Sequence, residues 1–305
     1  MNIESVKPFT IKSYNNKNYK FQNNSPTFRA GYIGDIFIKG NLPIDKLKRF
    51  TINEYRQLSK SEIASINAMI DGIIQNKTWK DASENIFFDN AHHLFTDYTS
   101  TWSKFDEYLE GHNIVTTDMK DKLEKKYGAD NFVVISIGRS LSSICKCLGY
   151  KIGEENVIQL PMSEARRFCH NIEKIKQSGI DALTDYLASF GMTKEAVQNS
   201  GKKYIFTDYR CRGGTMAGAK TLFKSNRMFG NTDNIIFVDI INMMPDYYGT
   251  WLSQALGNMD YKDLSLVNMC DNLFRTTKSV YKPEDWDLLL KSFYFKFMHS
   301  KVSDL

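Results

Sequence analysis

Asp208 stands a few residues ahead of Gly213, Gly214 and Thr215, and an apolar run, Tyr204-Ile205-Phe206, leads into it. That order of residue types suits phosphate chemistry. A strand (Tyr204 to Thr207) delivers the acid, a short loop from Asp208 to Thr215 follows, and a helix from Thr215 to Phe223 begins where the loop ends. The first turn of a helix leaves backbone N–H groups unpaired, and its aligned peptide dipoles place partial positive charge there, so an anion is stabilised. Glycine allows close backbone approach to that anion. Asp208 beside it would meet hydroxyls or a metal ion, and Arg210 and Arg212 add cationic forks that match phosphate oxygens.

A second segment has related chemistry. Ser136-Ile137-Gly138-Arg139-Ser140 follows the apolar run Phe132 to Ile135. Gly138 permits close approach, Arg139 offers a planar guanidinium, and Ser140 offers a hydroxyl at a helix start. Each loop has a plain reading as well: a strand-to-helix turn for the first, a helix N-cap for the second. Taken together, two anion-friendly loops leaving one sheet point to a ligand with two phosphate-like groups.

The elements that must position these loops alternate. Phe132–Ile137 reads as a strand, Leu141–Leu148 as a helix closed near Gly149, and Val157–Leu160 as a strand. A helical insertion runs from Ser163 to about Ser200, and the strand Tyr204–Thr207, the helix Thr215–Phe223 and the strand Ile235–Ile241 follow. Strands alternating with helices imply parallel pairing, and apolar runs without polar alternation imply burial on both faces. The expected fold is therefore α/β, a parallel, doubly wound sheet whose ligands bind beyond the carboxyl ends of the strands. Around it, Phe9–Ile11, Tyr32–Ile33 and Ile36–Ile38 read as short strands or an extended arm. Ile63, Ile66, Ile70, Ile73 and Ile74 mark one face of a helix over 61–76. Aromatic residues from Trp79 to Tyr108 suggest a packed helical layer, Asp118–Tyr127 reads as a further helix ended by Gly128, and Pro283–Lys301 as an amphipathic tail helix. The expected division is an N-terminal arm and helical layer (1–128), an α/β core (129–260) and a C-terminal helical tail packing on the core (261–305).

Over residues 130–245 the chain resembles the type I phosphoribosyltransferase family. The family signature is an apolar strand, two consecutive acids, two apolar residues, then small or hydroxylic residues closing with glycine, any residue, and Thr or Ser. Tyr204, Ile205 and Phe206 match the strand, Asp208 the second acid, Arg212 a position where the family accepts arginine, and Gly213 with Thr215 the closing pair. Gly138-Arg139-Ser140 resembles the family's pyrophosphate-binding loop. Three departures stand out: Thr207 occupies the first acid's position, Tyr209 and Arg210 replace the two apolar residues, and a helical stretch from Glu164 to Val197 replaces the flexible catalytic loop.

The resemblance implies a phosphoribosyltransferase-like sheet and an enzyme that binds a phosphoribosyl diphosphate-type ligand with Mg²⁺, then transfers or cleaves the ribosyl group with release of pyrophosphate. Asp208 would be the catalytic residue and the Mg²⁺ ligand, holding the ribose diol. Gly138, Arg139 and Ser140 would hold pyrophosphate, and Gly213, Gly214 and Thr215 the 5′-phosphate. Thr207, Arg210 and Arg212 complete the substrate-binding set. The alternative, from another class, is a non-catalytic protein of the same fold that senses a phosphorylated metabolite or binds a protein partner. The missing first acid favours that alternative.

Bulk properties limit the remaining classes. A hydrophobic content of 42% and an aromatic content of 13% over 305 residues supply a substantial core. The net charge of +5, with scattered lysines, suits a phosphorylated small-molecule substrate and does not call for nucleic acid. No leader-like N-terminal segment is visible, and the longest apolar run, Ile235–Met244, contains Asp239 and Asn242 and is too short to span a bilayer. A cytoplasmic protein without a membrane partner is expected, with a homodimer left open. Five cysteines, including Cys145 and Cys147, are too sparse for a disulfide framework and read as core thiols. Adjacent His92 and His93 face different sides of a helix and do not make a metal site. Asp239, in the middle of an apolar strand, needs a partner if buried and faces a ligand if it lies near the sheet's carboxyl edge.

Overall fold

A computed structural model describes residues 47–76, 102–138, 141–163, 165, 172–210, 214–241, 261–265, 274–277 and 283–301. These fall into two compact units, one holding the described residues of Glu110–Pro283, the other those of Ile11–Leu109 and Glu284–Leu305. The strands expected before residue 40 and most of the aromatic stretch after Trp79 lie outside the described residues. No helix among the described residues is long and apolar enough to cross a membrane.

The first unit is built on a sheet of four parallel strands: β1 (Phe132–Ile137), β2 (Val157–Leu160), β4 (Lys203–Arg210) and β5 (Ile235–Ile241), in the spatial order β2-β1-β4-β5. The α/β expectation holds at this level. β1 is buried along its whole length, which is why its sequence shows no polar alternation beyond Ser136. A short strand β3 (Met162–Ser163) pairs in parallel with β6 (Tyr261–Ser265), which pairs antiparallel with β7 (Phe274–Thr277), making a second, three-stranded sheet. Residues 261–277 were expected to belong to a helical tail. Tyr261–Ser265 and Phe274–Thr277 instead pair as strands, a correction that short, weakly patterned segments make understandable.

The helices carry the numbers α1 (Ile52–Arg56), α2 (Lys60–Asn76), α3 (Trp102–Tyr127), α4 (Ser142–Ile152), α5 (Gln177–Ala188), α6 (Lys194–Asn199), α7 (Gly214–Phe223) and α8 (Pro283–Lys301). Three boundaries differ from expectation. Asp118–Tyr127 is not a separate helix but the end of α3, which runs through Gly111 without a break and stops where Gly128 takes a φ of 83°. α4 runs past Gly149 to end at Gly153, whose φ is 96°. Among the described residues after Ser163, Ile172–Lys174 forms a 3-10 turn ahead of α5 and α6, which are separated by a turn rather than continuous.

The two faces of the main sheet are covered differently. Val133, Ile135 and Ile137 of β1 share one buried cluster with Tyr204 and Phe206 of β4 and with residues of α5, α6 and α7. Phe206 anchors that side, stacked on Phe237 at 5.3 Å and tilted against Phe223 at 4.8 Å. Alternate residues point the other way. There α4 packs, with Ile144, Cys145 and Leu148 buried, and Ser143 Oγ lies 3.0 Å from Nε2 of the buried His112.

In the second unit, α8 is buried around most of its circumference, through Phe293, Tyr294, Phe295, Phe297 and Met298. Phe295 meets Phe50 and Tyr55 edge-on at 5.4 and 5.5 Å. Thr51 and Glu54 form a capping box on α1. The bonds from Lys48 and Thr51 hold the Glu54 carboxyl down at about 2.

Candidate functional site

β1 and β4 are hydrogen-bonded neighbours in register from Phe132↔Lys203 to Ser136↔Thr207. Both run the same way, so the segments that follow them leave the sheet at one edge. The order β2-β1-β4-β5 also means that the chain steps from β1 to β2 on one side, then crosses back over β1 to reach β4. That reversal lies between the two strands that carry the candidate loops, and open parallel sheets bind ligands at such a reversal.

Gly138 ends β1 with a φ of 74°, a conformation that L side chains rarely adopt. Its N–H donates to Leu160 O at 2.9 Å, which fixes the first loop to the end of β2. A Cβ at this position would come 3.1 Å from Met162 O, so β3 walls the loop closely. Arg139 and Ser140 lie outside the described residues.

The second loop is shorter than expected. β4 continues through Asp208, Tyr209 and Arg210, which pair with Asp239, Ile240 and Ile241 of β5. Arg210 is therefore a strand residue, because pairing with β5 carries the ladder beyond the end of β1. Arg212 and Gly213 lie outside the described residues. Gly214 opens α7, and Thr215 follows it in the first turn, both half-buried. The end of β4, the acid and the helix N-terminus thus follow one another within a few residues.

Asp208 is only 8% exposed. Its register partner is Asp239, half-buried on β5. Two residues earlier, Phe206 and Phe237 are likewise register partners and stack on each other. Strand alternation therefore sends both aspartates to that same face, at the carboxyl edge of the sheet. The signature at 204–215 points only to Asp208. Asp239 was legible as a carboxylate out of place in an apolar strand, and the register is what joins it to Asp208.

Thr207 is placed differently. It is 1% exposed and in register with Ser136, on the face covered by α4. In α4, burial pushes the Cys145 thiol up to about 12. The Ser136 hydroxyl works against that, and the charge of Asp208 adds to it. Cys147 is raised well above the ordinary value by burial. Both thiols are buried and free, in keeping with a core role. Among the described residues, no group of three or more His, Cys, Asp or Glu side chains converges to enclose a metal ion.

In comparisons with protein-family models, with curated proteins and with solved structures, the chain gave no match.

Proposed function

We propose that the protein is a phosphoribosyltransferase-like enzyme that binds a phosphoribosyl diphosphate-type ligand at the carboxyl edge of the main sheet, and transfers or cleaves the ribosyl group with release of pyrophosphate. The observation that carries this reading is the adjacency of β1 and β4, which brings the Gly138 turn and Asp208 to one edge. The backbone around Gly138, with Arg139 and Ser140, would hold the pyrophosphate. Gly213, Gly214 and Thr215, at the start of α7, would hold the 5′-phosphate.

Asp208 and Asp239 would replace the consecutive acid pair of the resembled family by one acid on each of two strands. Two carboxylates on one face fit Mg²⁺, which is usually held by one or two protein carboxylates together with substrate oxygens. Bound there, the ion would help neutralise the leaving pyrophosphate. Asp208 would hold the ribose hydroxyls and favour positive charge developing at the anomeric carbon. Catalysis would rest on positioning and electrostatics rather than on a covalent intermediate.

A second reading has its own observation. Thr207 is buried toward α4, so the position of the family's first acid is withdrawn from the edge. A non-catalytic relative that senses a phosphorylated metabolite would tolerate that. Release of pyrophosphate from phosphoribosyl pyrophosphate, followed with wild-type protein, Mg²⁺ and a panel of nucleobase and amine acceptors, separates the two. Turnover lost in Asp208→Asn is the expected result for the enzyme. Tight binding with no release under any acceptor would establish the sensor.

A further inference from the structure

The chain passes from one compact unit to the other inside a helix. α3 runs unbroken from Trp102 to Tyr127, yet within it Leu109 belongs to the second unit and Glu110 to the first. The other crossing among the described residues falls at Pro283, the first residue of α8, so α8 lies in the second unit from Glu284 onward. α3 is therefore the helix whose length the two units divide between them. Gly111, its one glycine, stands two residues past Leu109.

The helix is weakened at that place more than once. Proline apart, glycine is the residue that a helix interior holds least firmly. One turn further on, Thr116 Oγ1 donates to His112 O at 2.7 Å and to Asn113 O at 3.2 Å. A hydroxyl bonded to the carbonyl four residues back competes for an acceptor of the helix ladder and often bends the helix. Lys151 Nζ of α4 also reaches Asn113 O, at 3.2 Å. The two carbonyls directly after Gly111 thus share their capacity with side chains.

The part of α3 that follows Gly111 is fastened. His112 is fully buried with its Nε2 3.0 Å from Ser143 Oγ, and Lys151 Nζ donates to Asn113 Oδ1 at 2.8 Å and to Thr117 Oγ1. Val115, Met119 and Leu123 bury apolar side chains on the same half. These contacts tie α3 to α4 from His112 onward, whereas Leu109 already belongs to the other unit. We propose that α3 is a hinge that bends at Gly111, so that the two units change orientation while each keeps its own core. A few residues that absorb a change in φ and ψ between packed bodies are the ordinary form of a hinge. This inference does not depend on the ribosyl reading.

Two measurements on the full chain test it. Spin labels at the exposed positions Ser65, in the second unit, and Lys125, in the first, report the distance between units, and a pair at Lys125 and Glu195 stays within the first unit. The distribution for the first pair should be clearly broader than for the second, and Gly111→Ala should narrow it. Amide hydrogen exchange places the bend. The N–H groups of residues 111–115, whose acceptors lie four residues back across the joint, should exchange faster than those of 119–123, and Gly111→Ala should slow them about fivefold. A wild-type distribution between units as narrow as the one within a unit overturns the proposal. So does exchange over 111–115 as slow as over 119–123, or a broad distribution that Gly111→Ala leaves unchanged. The wild-type comparisons decide the matter even if the alanine variant does not fold.

Discussion

Asp208 and Asp239 are direct register partners in neighbouring parallel strands, and both leave the face on which Phe206 stacks against Phe237. Like charges placed opposite each other in a sheet are unfavourable unless something compensates them. A divalent cation with ribose hydroxyls would do so. In the proposed site the two carboxylates would share one such ion.

The first prediction concerns that pair. Asp208→Asn and Asp239→Asn should each weaken Mg²⁺-dependent binding of phosphoribosyl pyrophosphate about tenfold or more, on the order of 1.4 kcal/mol. The double variant should lose less than the sum, because the two groups share one ligand. The readout is the rise in Tm that the ligand produces. An Asp239→Asn protein that responds like the wild type would remove Asp239 from the site.

Gly138 supplies the second. At a φ of 74°, with Met162 O only 3.1 Å from the position of a Cβ, alanine meets both backbone strain and a close wall. Gly138→Ala should cost about 1–3 kcal/mol in urea unfolding. It should also weaken pyrophosphate binding more than ribose 5-phosphate binding, because the turn belongs to the first loop. Equal losses for the two ligands would contradict that assignment.

Phe206 supplies the third, a test of the fold alone. Its ring is fully buried between Phe237 and Phe223. Phe206→Ala should lower stability by about 3–5 kcal/mol, measured from the urea midpoint. A loss below about 1 kcal/mol would mean that the aromatic stack is not part of the core.

The fourth concerns pH. Tyr55 Oη and His299 Nδ1 lie 3.1 Å apart. Burial and then Lys296 hold the imidazole below its ordinary value of 6.5, with Asp71 pulling the other way, while Asp71 itself pairs with Lys296 at 2.6 Å. A lowered folded value means that the unfolded chain takes up the proton more readily. The contribution is therefore fully present above the ordinary histidine value and lost as pH falls through the lowered one. Stability should decline as pH falls below the ordinary histidine value of 6.5, and His299→Gln should flatten that decline. An unchanged slope in the variant would assign the decline to other groups.

Much of the main sheet was legible because its strands are strongly apolar, β1 being buried on both faces. Phe132–Ile137, Val157–Leu160 and Ile235–Ile241 stand out as largely apolar runs, each with one polar residue, and the structure places them at those bounds. The tail helix from Pro283 to Lys301 was legible from its aromatic spacing. The extension of β4 to Arg210 was not, because Asp208, Tyr209 and Arg210 read as loop residues and are held as strand only by β5. The second sheet was hidden for a similar reason. β3 has two residues and gains its identity from β6, about a hundred positions later. At the site, residue types announced Asp208 and the glycines, whereas the partnership with Asp239 and the burial of Thr207 are products of register, which pairing alone sets.

The most direct test is isothermal titration of the wild-type chain with phosphoribosyl pyrophosphate, ribose 5-phosphate and pyrophosphate, each with and without Mg²⁺. Binding of all three in the presence of Mg²⁺, tightest for phosphoribosyl pyrophosphate, is the predicted result, because that ligand alone reaches both loops. Absence of heat from every one of them under both conditions would contradict the account.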